Sequence, residues 1–226
     1  MFMVFDPLYL AMLLPTVIIA MWAQAKVHST FAKYSKIRTR SGISGAAMAR
    51  DILNRNGCSR VTIEPIAGNL TDHYDPRTGT LRLSQGVYNS TSMAAVGIAA
   101  HEAGHAIQQR RGYWPMHIRQ GLVPIMMLGP GAAMVMFVLG MFFRSPMFMQ
   151  IAIVLFAAIV LFNVVTLPVE FNASRRALQL MRTSGYVTEE EVAGARKVLT
   201  AAALTYVAAT LTAIMWLLYA VMRSRR

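Results

Sequence analysis

Two histidines four residues apart flank a glutamate in His101-Glu102-Ala103-Gly104-His105, within the stretch "GIAAHEAGHAIQQRRGYW". On an α-helix that spacing is about 400°, so both imidazoles return to one face and can share one ion. Neutral imidazole binds zinc at about 2.0–2.1 Å. Glu102 lies about 100° round the helix. It is poorly placed to ligate beside the histidines, but it can reach a water next to the metal. This arrangement makes H-E-x-x-H a mark of zinc hydrolases. Zinc lowers the pKa of water from about 15.7 to about 7, and the carboxylate can pass that water's proton to a leaving amine. The bland alternative is a helix with two hydrogen-bonded histidines and no metal, which has no need of Glu102.

A catalytic zinc site requires a third protein ligand and an open fourth position. His28, His73 and His117 are the remaining histidines. The metzincin spacing is excluded, because Gln108 stands where that pattern has glycine. An Asp-Gly ligand in a later span, as in the site-2 class, is excluded because no aspartate follows Asp75. Glu170 is the best candidate. It is the only acidic residue between Glu102 and Glu189 and closes a long apolar run, where an unpaired charge is costly. Glu170, Ala173, Ser174 and Ala177 share a helical face, and Ala103 and Gly104 are also small. Small side chains let two helix backbones approach closely, although an ordinary packing seam has the same composition.

The elements that must position these residues are largely apolar. Of 226 residues, 55% are hydrophobic, and the mean hydropathy is +0.44. Four runs, 7–25, 121–143, 145–169 and 198–222, each reach the roughly 20 residues that cross a bilayer. Only Arg144 separates the second from the third, which predicts a tight hairpin. The first run lacks a basic leader and an Ala-x-Ala site and is expected to be a retained anchor. Segment 26–120 holds 13 Lys and Arg and segment 170–197 holds 5, against Arg144, Arg223, Arg225 and Arg226 elsewhere. Basic loops stay cytoplasmic, so the motif and Glu170 are expected on the same, cytoplasmic face. The net charge of +12 fits anionic lipid better than nucleic acid, because the arginines are scattered without an aromatic platform. The single cysteine, Cys58, cannot form an internal disulfide.

The polar segments predict local structure. Ser44 can cap a helix that ends at Asn56-Gly57. Val61 and Ile63 alternate as in a short strand. Segments 71–74 and 80–83 flank Asp75-Pro76-Arg77-Thr78-Gly79 as a hairpin. Ser90, Thr91 or Ser92 can start the motif helix, which is expected to end before Gly112. Thr188 and Glu191 form a capping box for a helix running to Met222. The expected fold is mainly α: a single polytopic unit over 1–226, with about four transmembrane helices and a small cytoplasmic part in which a β-hairpin adjoins the HExxH helix.

Three stretches, "TDHYDPRTGTLRLS", "AAHEAGHAIQ" and "LPVEFNASRRAL", resemble the YugP-type neutral zinc metallopeptidases, over most of the chain. The resemblance implies a multi-pass protease of the bacterial cytoplasmic (inner) membrane. It assigns zinc to His101 and His105, the catalytic acid/base to Glu102 and the third ligand to Glu170, with one Zn2+ per chain. HtpX-like membrane proteases are more distantly similar. They carry an Asp four residues after the ligand Glu, where this chain has Ser174, a weaker acceptor for an imidazole N–H. His73, Tyr74, Arg175 and Arg176 are open candidates for contacting substrate or an oxyanion. The expected partners are a protein or peptide substrate and the lipid bilayer, without nucleic acid. The substrate would be membrane or unfolded protein. The competing reading is a metal-binding membrane adaptor without proteolytic activity.

Overall fold

The computed structural model describes residues 6–225; Met1–Phe5 and the tail residue Arg226 lie outside the described residues. In chain order the elements are α1 (Pro7–Tyr34), α2 (Gly45–Arg55), β1 (Thr62–Ile66), β2 (His73–Asp75) and β3 (Thr80–Ser84). They continue with α3 (Gln85–Tyr88), α4 (Met93–Arg110), α5 (Trp114–Phe142), α6 (Pro146–Ser184) and α7 (Glu189–Ser224). The fold is mainly helical with one three-stranded sheet. Among the described residues four helices, α1, α5, α6 and α7, are long and apolar enough to cross a membrane. The expected break near Arg144 is present, with Arg144 at φ 48° between α5 and α6. Helix α5 starts at Trp114, seven residues before the apolar run, with Pro115 in its first turn. Proline is tolerated there because its missing N–H would be unpaired anyway.

The chain divides into two compact units. One comprises Met1–Gln24, His117–Leu167 and Leu204–Arg226. Its core includes Leu13, Ala133, Phe137, Met149, Ala152, Phe156 and Tyr219. Trp216 stacks on Phe156 with ring centroids 5.8 Å apart. Asp6 caps α1, accepting from the Leu8 N–H at 3.0 Å and from the Tyr219 hydroxyl at 2.9 Å. Apolar side chains such as Met127, Leu128, Phe142 and Val154 are exposed, a surface suited to lipid rather than water.

The other unit, Ala25–Met116 and Pro168–Ala203, holds the HExxH helix. Its core includes Met48, Ile52, Leu53, Leu81, Leu83 and Ile107. Each such side chain contributes about 1.5–3 kcal/mol when fully buried. Ser44 caps α2 through the Ala47 N–H, and Ser92 caps α4 through the Ala95 N–H, both at 3.2 Å. Helix α4 ends in a Schellman turn: the Tyr113 N–H reaches the Gln108 carbonyl and the Gly112 N–H the Gln109 carbonyl. Gly112 supplies the φ of +63° that this turn requires.

The sheet order is β1-β3-β2. The expected hairpin is β2 and β3, which pair antiparallel with Tyr74 opposite Leu81. Strand β1 pairs parallel with the other side of β3, Ile63 opposite Leu81. Arg82 on β3 ties the sheet together, 3.2 Å from Asp75 and 3.6 Å from Glu64. The turn is closed by Asp75, which accepts the Arg77 N–H and the Thr78 hydroxyl, each at 2.9 Å.

The capping box at α7 is present and does more than cap. Glu191 accepts the Thr188 N–H at 2.8 Å, while Thr188 Oγ1 accepts the Glu191 N–H at 3.3 Å. The second carboxylate oxygen accepts the N–H of Arg40, 151 residues away. A buried carboxylate thus ties the α1–α2 loop to the start of α7. Hydrogen bonds to a charged group contribute about 1.5–3 kcal/mol. Glu191→Ala is expected to lower stability by about 2–4 kcal/mol, read as a fall in the thermal midpoint in detergent. Glu191→Gln, which retains an acceptor, should lose clearly less.

Candidate metal centre

Helices α4 and α6 carry the residues that the sequence singles out. Their backbones meet at Gly104, where an added Cβ would lie 2.9 Å from the Ala173 carbonyl oxygen and 3.4 Å from its Cα. Alanine at position 104 could not keep this approach. Ala103, Ala173 and Ala177 are fully buried, so the small-residue faces of both helices are in use.

His101 stands three residues before Gly104 and His105 directly after it. His101 Nε2 is 3.2 Å and His105 Nε2 3.7 Å from the same oxygen, Glu170 Oε2. The imidazole centroids are 4.7 Å apart and nearly perpendicular. Zinc ligands at about 2.0–2.1 Å in tetrahedral directions are separated from one another by about 3.3 Å. The observed separations bracket that value, so each imidazole nitrogen stands at about the spacing from the carboxylate oxygen that two ligands of one zinc ion have. Glu102 offers a carboxylate oxygen in the same cluster, within 4.8 Å of the imidazole nitrogens. Glu102, His105 and Glu170 are buried and His101 is partly exposed, which leaves His101 the approachable side. The structure thus brings together all four residues singled out at the motif and at Glu170.

The other ring nitrogens are also engaged. Ser174 Oγ lies 3.1 Å from His101 Nδ1, the contact expected for that hydroxyl. Gln108 Oε1 lies 3.0 Å from His105 Nδ1. The Gln108 amide donates to the Val169 carbonyl at 2.8 Å and to Asn172 Oδ1 at 3.0 Å. Asn172 Oδ1 also accepts from Arg176 Nε at 2.7 Å. Gln108 and Asn172 are absent from the sequence-based site, although Gln108 stands three residues after His105 and seven after His101, on their face of the helix.

The remaining candidates are placed as follows. His73 Nδ1 is 2.8 Å from the Thr71 carbonyl. Tyr74 packs against the core, and burial raises its phenol pKa. Arg175 is exposed, and Arg176 is held by Asn172. Asp72, just before β2, is engaged with Ser84 at the end of β3: it accepts the Ser84 N–H at 2.7 Å and the hydroxyl at 3.0 Å. This clasp joins the two ends of the hairpin, whose strands both pack against α4.

Comparison with known proteins agrees over nearly the whole chain. The family described as "Putative neutral zinc metallopeptidase" matches residues 9–225. The "Putative membrane protease YugP" of Bacillus subtilis (strain 168) is 46% identical over 204 residues, covering 90% of this chain and 91% of that protein. No solved structure matches.

Asp72 makes the packing of the hairpin measurable. Burial raises its carboxyl pKa, opposed by the Ser84 hydrogen bonds and reinforced by the charge of Glu102. An acid whose folded pKa is raised binds its proton more tightly when folded, so stability falls as pH rises from the ordinary carboxylate range through the raised value. Asn at position 72 retains an acceptor for the Ser84 N–H and has no charge to bury. The midpoint difference between Asp72→Asn and wild type is therefore expected to grow in the variant's favour from about pH 4 towards neutrality. A difference independent of pH would contradict this origin.

Proposed function

Since the chain belongs to the neutral zinc metallopeptidase family, we propose that it is an integral membrane endopeptidase with one zinc held by His101, His105 and Glu170 and with Glu102 as general base. The observation that carries this reading is the convergence of two imidazole Nε2 atoms on one buried carboxylate oxygen, at 3.2 and 3.7 Å. Zinc bound there supplies Lewis-acid chemistry, acidifying a water and polarising the scissile carbonyl. Glu102 takes a proton from the attacking water and delivers it to the leaving amine. Its position one residue after His101 keeps it beside the reacting atoms while another residue completes the ligand set.

Substrate is held on the sheet. Strand β2 is an edge of the β1-β3-β2 sheet and packs on α4, so an extended peptide can pair with its free main-chain groups next to the motif helix. An extended backbone is a requirement that unfolded polypeptide meets and packed domains do not. The protein lies in the bacterial cytoplasmic membrane with spans near 7–25, 121–143, 145–169 and 198–222. The basic residues of 26–120 and 170–197 support a centre at the cytoplasmic face. Membrane proteins and unfolded chains near that face are the substrates.

Glu102→Gln separates the protease from a metal-binding adaptor. The variant is expected to retain stoichiometric zinc and to hydrolyse a casein-like substrate in detergent at least about 100-fold more slowly than wild type. Unchanged hydrolysis would reject Glu102 as the base. Glu170→Ala is expected to lose zinc on dialysis while wild type retains one ion per chain, as metal analysis will read. Undiminished zinc in that variant would reject the third ligand.

A further inference from the structure

We propose that Gln108 is a positioning residue that holds the proton of His105 on Nδ1 and so presents Nε2 to the metal. This rests on His105 being a ligand. The geometry forces the direction of every hydrogen bond in the chain that leads to the ring. Arg176 can only donate, so Asn172 must turn its Oδ1 to Arg176 Nε, at 2.7 Å. The Gln108 atom 3.0 Å from that same oxygen must then be the amide nitrogen. The Val169 carbonyl, 2.8 Å away, can only accept and imposes the same orientation independently. The other end of the amide is therefore its oxygen, and it faces His105 Nδ1 at 3.0 Å. A carbonyl oxygen there requires an N–H on Nδ1. In the neutral ring that a metal requires, this leaves the lone pair on Nε2, the nitrogen aimed at Glu170 Oε2.

Gln108 is fully buried, so no water competes for either end of its amide. The lock is unlike the one at His101. Ser174 Oγ can donate or accept, so a hydroxyl at 3.1 Å leaves the tautomer of His101 open. Only the His105 ring is directed from outside, by Val169, Asn172 and Arg176 acting through one side chain.

The test compares Gln108→Met, Gln108→Glu and His105→Ala in the full-length protein, with zinc affinity read by chelator competition and stability by thermal midpoint. Met fills about the same volume with only a weakly accepting thioether in place of the amide oxygen, so zinc should bind about 10- to 100-fold more weakly. Glu accepts from Nδ1–H and cannot donate to Val169, so it should lose stability while binding zinc within about threefold of wild type. A merely structural role would lower stability in both variants and leave zinc affinity in step with it. Met within threefold of wild type, with His105→Ala binding much more weakly, overturns this inference alone. His105→Ala binding as wild type overturns the ligand reading and this inference with it. Should Gln108→Met not fold, the 15N imidazole signals of zinc-loaded wild type decide: a proton on Nδ1 of His105 with the metal on Nε2 supports the assignment, and a proton on Nε2 with the metal on Nδ1 overturns it.

Discussion

A carboxylate buried between two imidazoles is the constraint to which the unit that carries HExxH is fitted. Glu170 is 2% exposed, and an isolated carboxylate that deep would be strongly destabilising. It is tolerable only because His101 and His105 face it, and they face it only if α4 and α6 come closer than ordinary helices do. Gly104 against Ala173 provides that approach. A methyl at position 104 would push the helices apart and spoil both the ligand separations and the pairing of Glu170.

The rest of the unit holds those two helices in place. The Schellman turn at Gly112 returns the chain so that Tyr113 can donate its hydroxyl to the Pro168 carbonyl at 3.4 Å. The Asp72–Ser84 clasp closes the open end of the hairpin, and both of its strands pack on α4. Glu191 links the loop before α2 to the start of α7. The Tyr113 and Glu191 contacts join segments 55 and 151 residues apart in the chain, so the site depends on the whole unit and could not form from the HExxH peptide alone.

What the sequence reveals follows from the range of the interactions. Helix periodicity placed His101, Glu102 and His105, and local caps at Ser44, Ser92 and Thr188 are side-chain to backbone bonds within three residues. The hairpin was legible because Asp75 to Gly79 carries its own turn chemistry. The parallel pairing of β1 with β3 was not, since no local turn specifies it and its partners are 18 residues apart in the chain. Glu170 was reached from the cost of a charge at the end of an apolar run, a nonlocal argument that needs only composition. Gln108 shared a helix face with both histidines, yet nothing local revealed that its partners would be Val169 and Asn172 on another helix. The early start of α5 at Trp114 was hidden by Pro115, which reads as a breaker and is acceptable in a first turn.

The groups behind the two histidines are neutral, a hydroxyl and an amide, where a carboxylate would orient an imidazole more strongly. The local charge explains why neutrality suits this site. Glu170 and Glu102 already lie among the imidazole nitrogens, and the charge of Glu102 is felt at Asp72. A further carboxylate behind each ring would add anions to a buried space that already holds two, and each would raise the cost of ionising the others. An amide held at both ends achieves directional control of the ring without that charge, because its orientation is imposed by an arginine and a main-chain carbonyl and not by attraction to the imidazole. The price is sensitivity to packing: the orientation of His105 is only as secure as the approach of α4 to α6, which returns the whole arrangement to the glycine between the histidines.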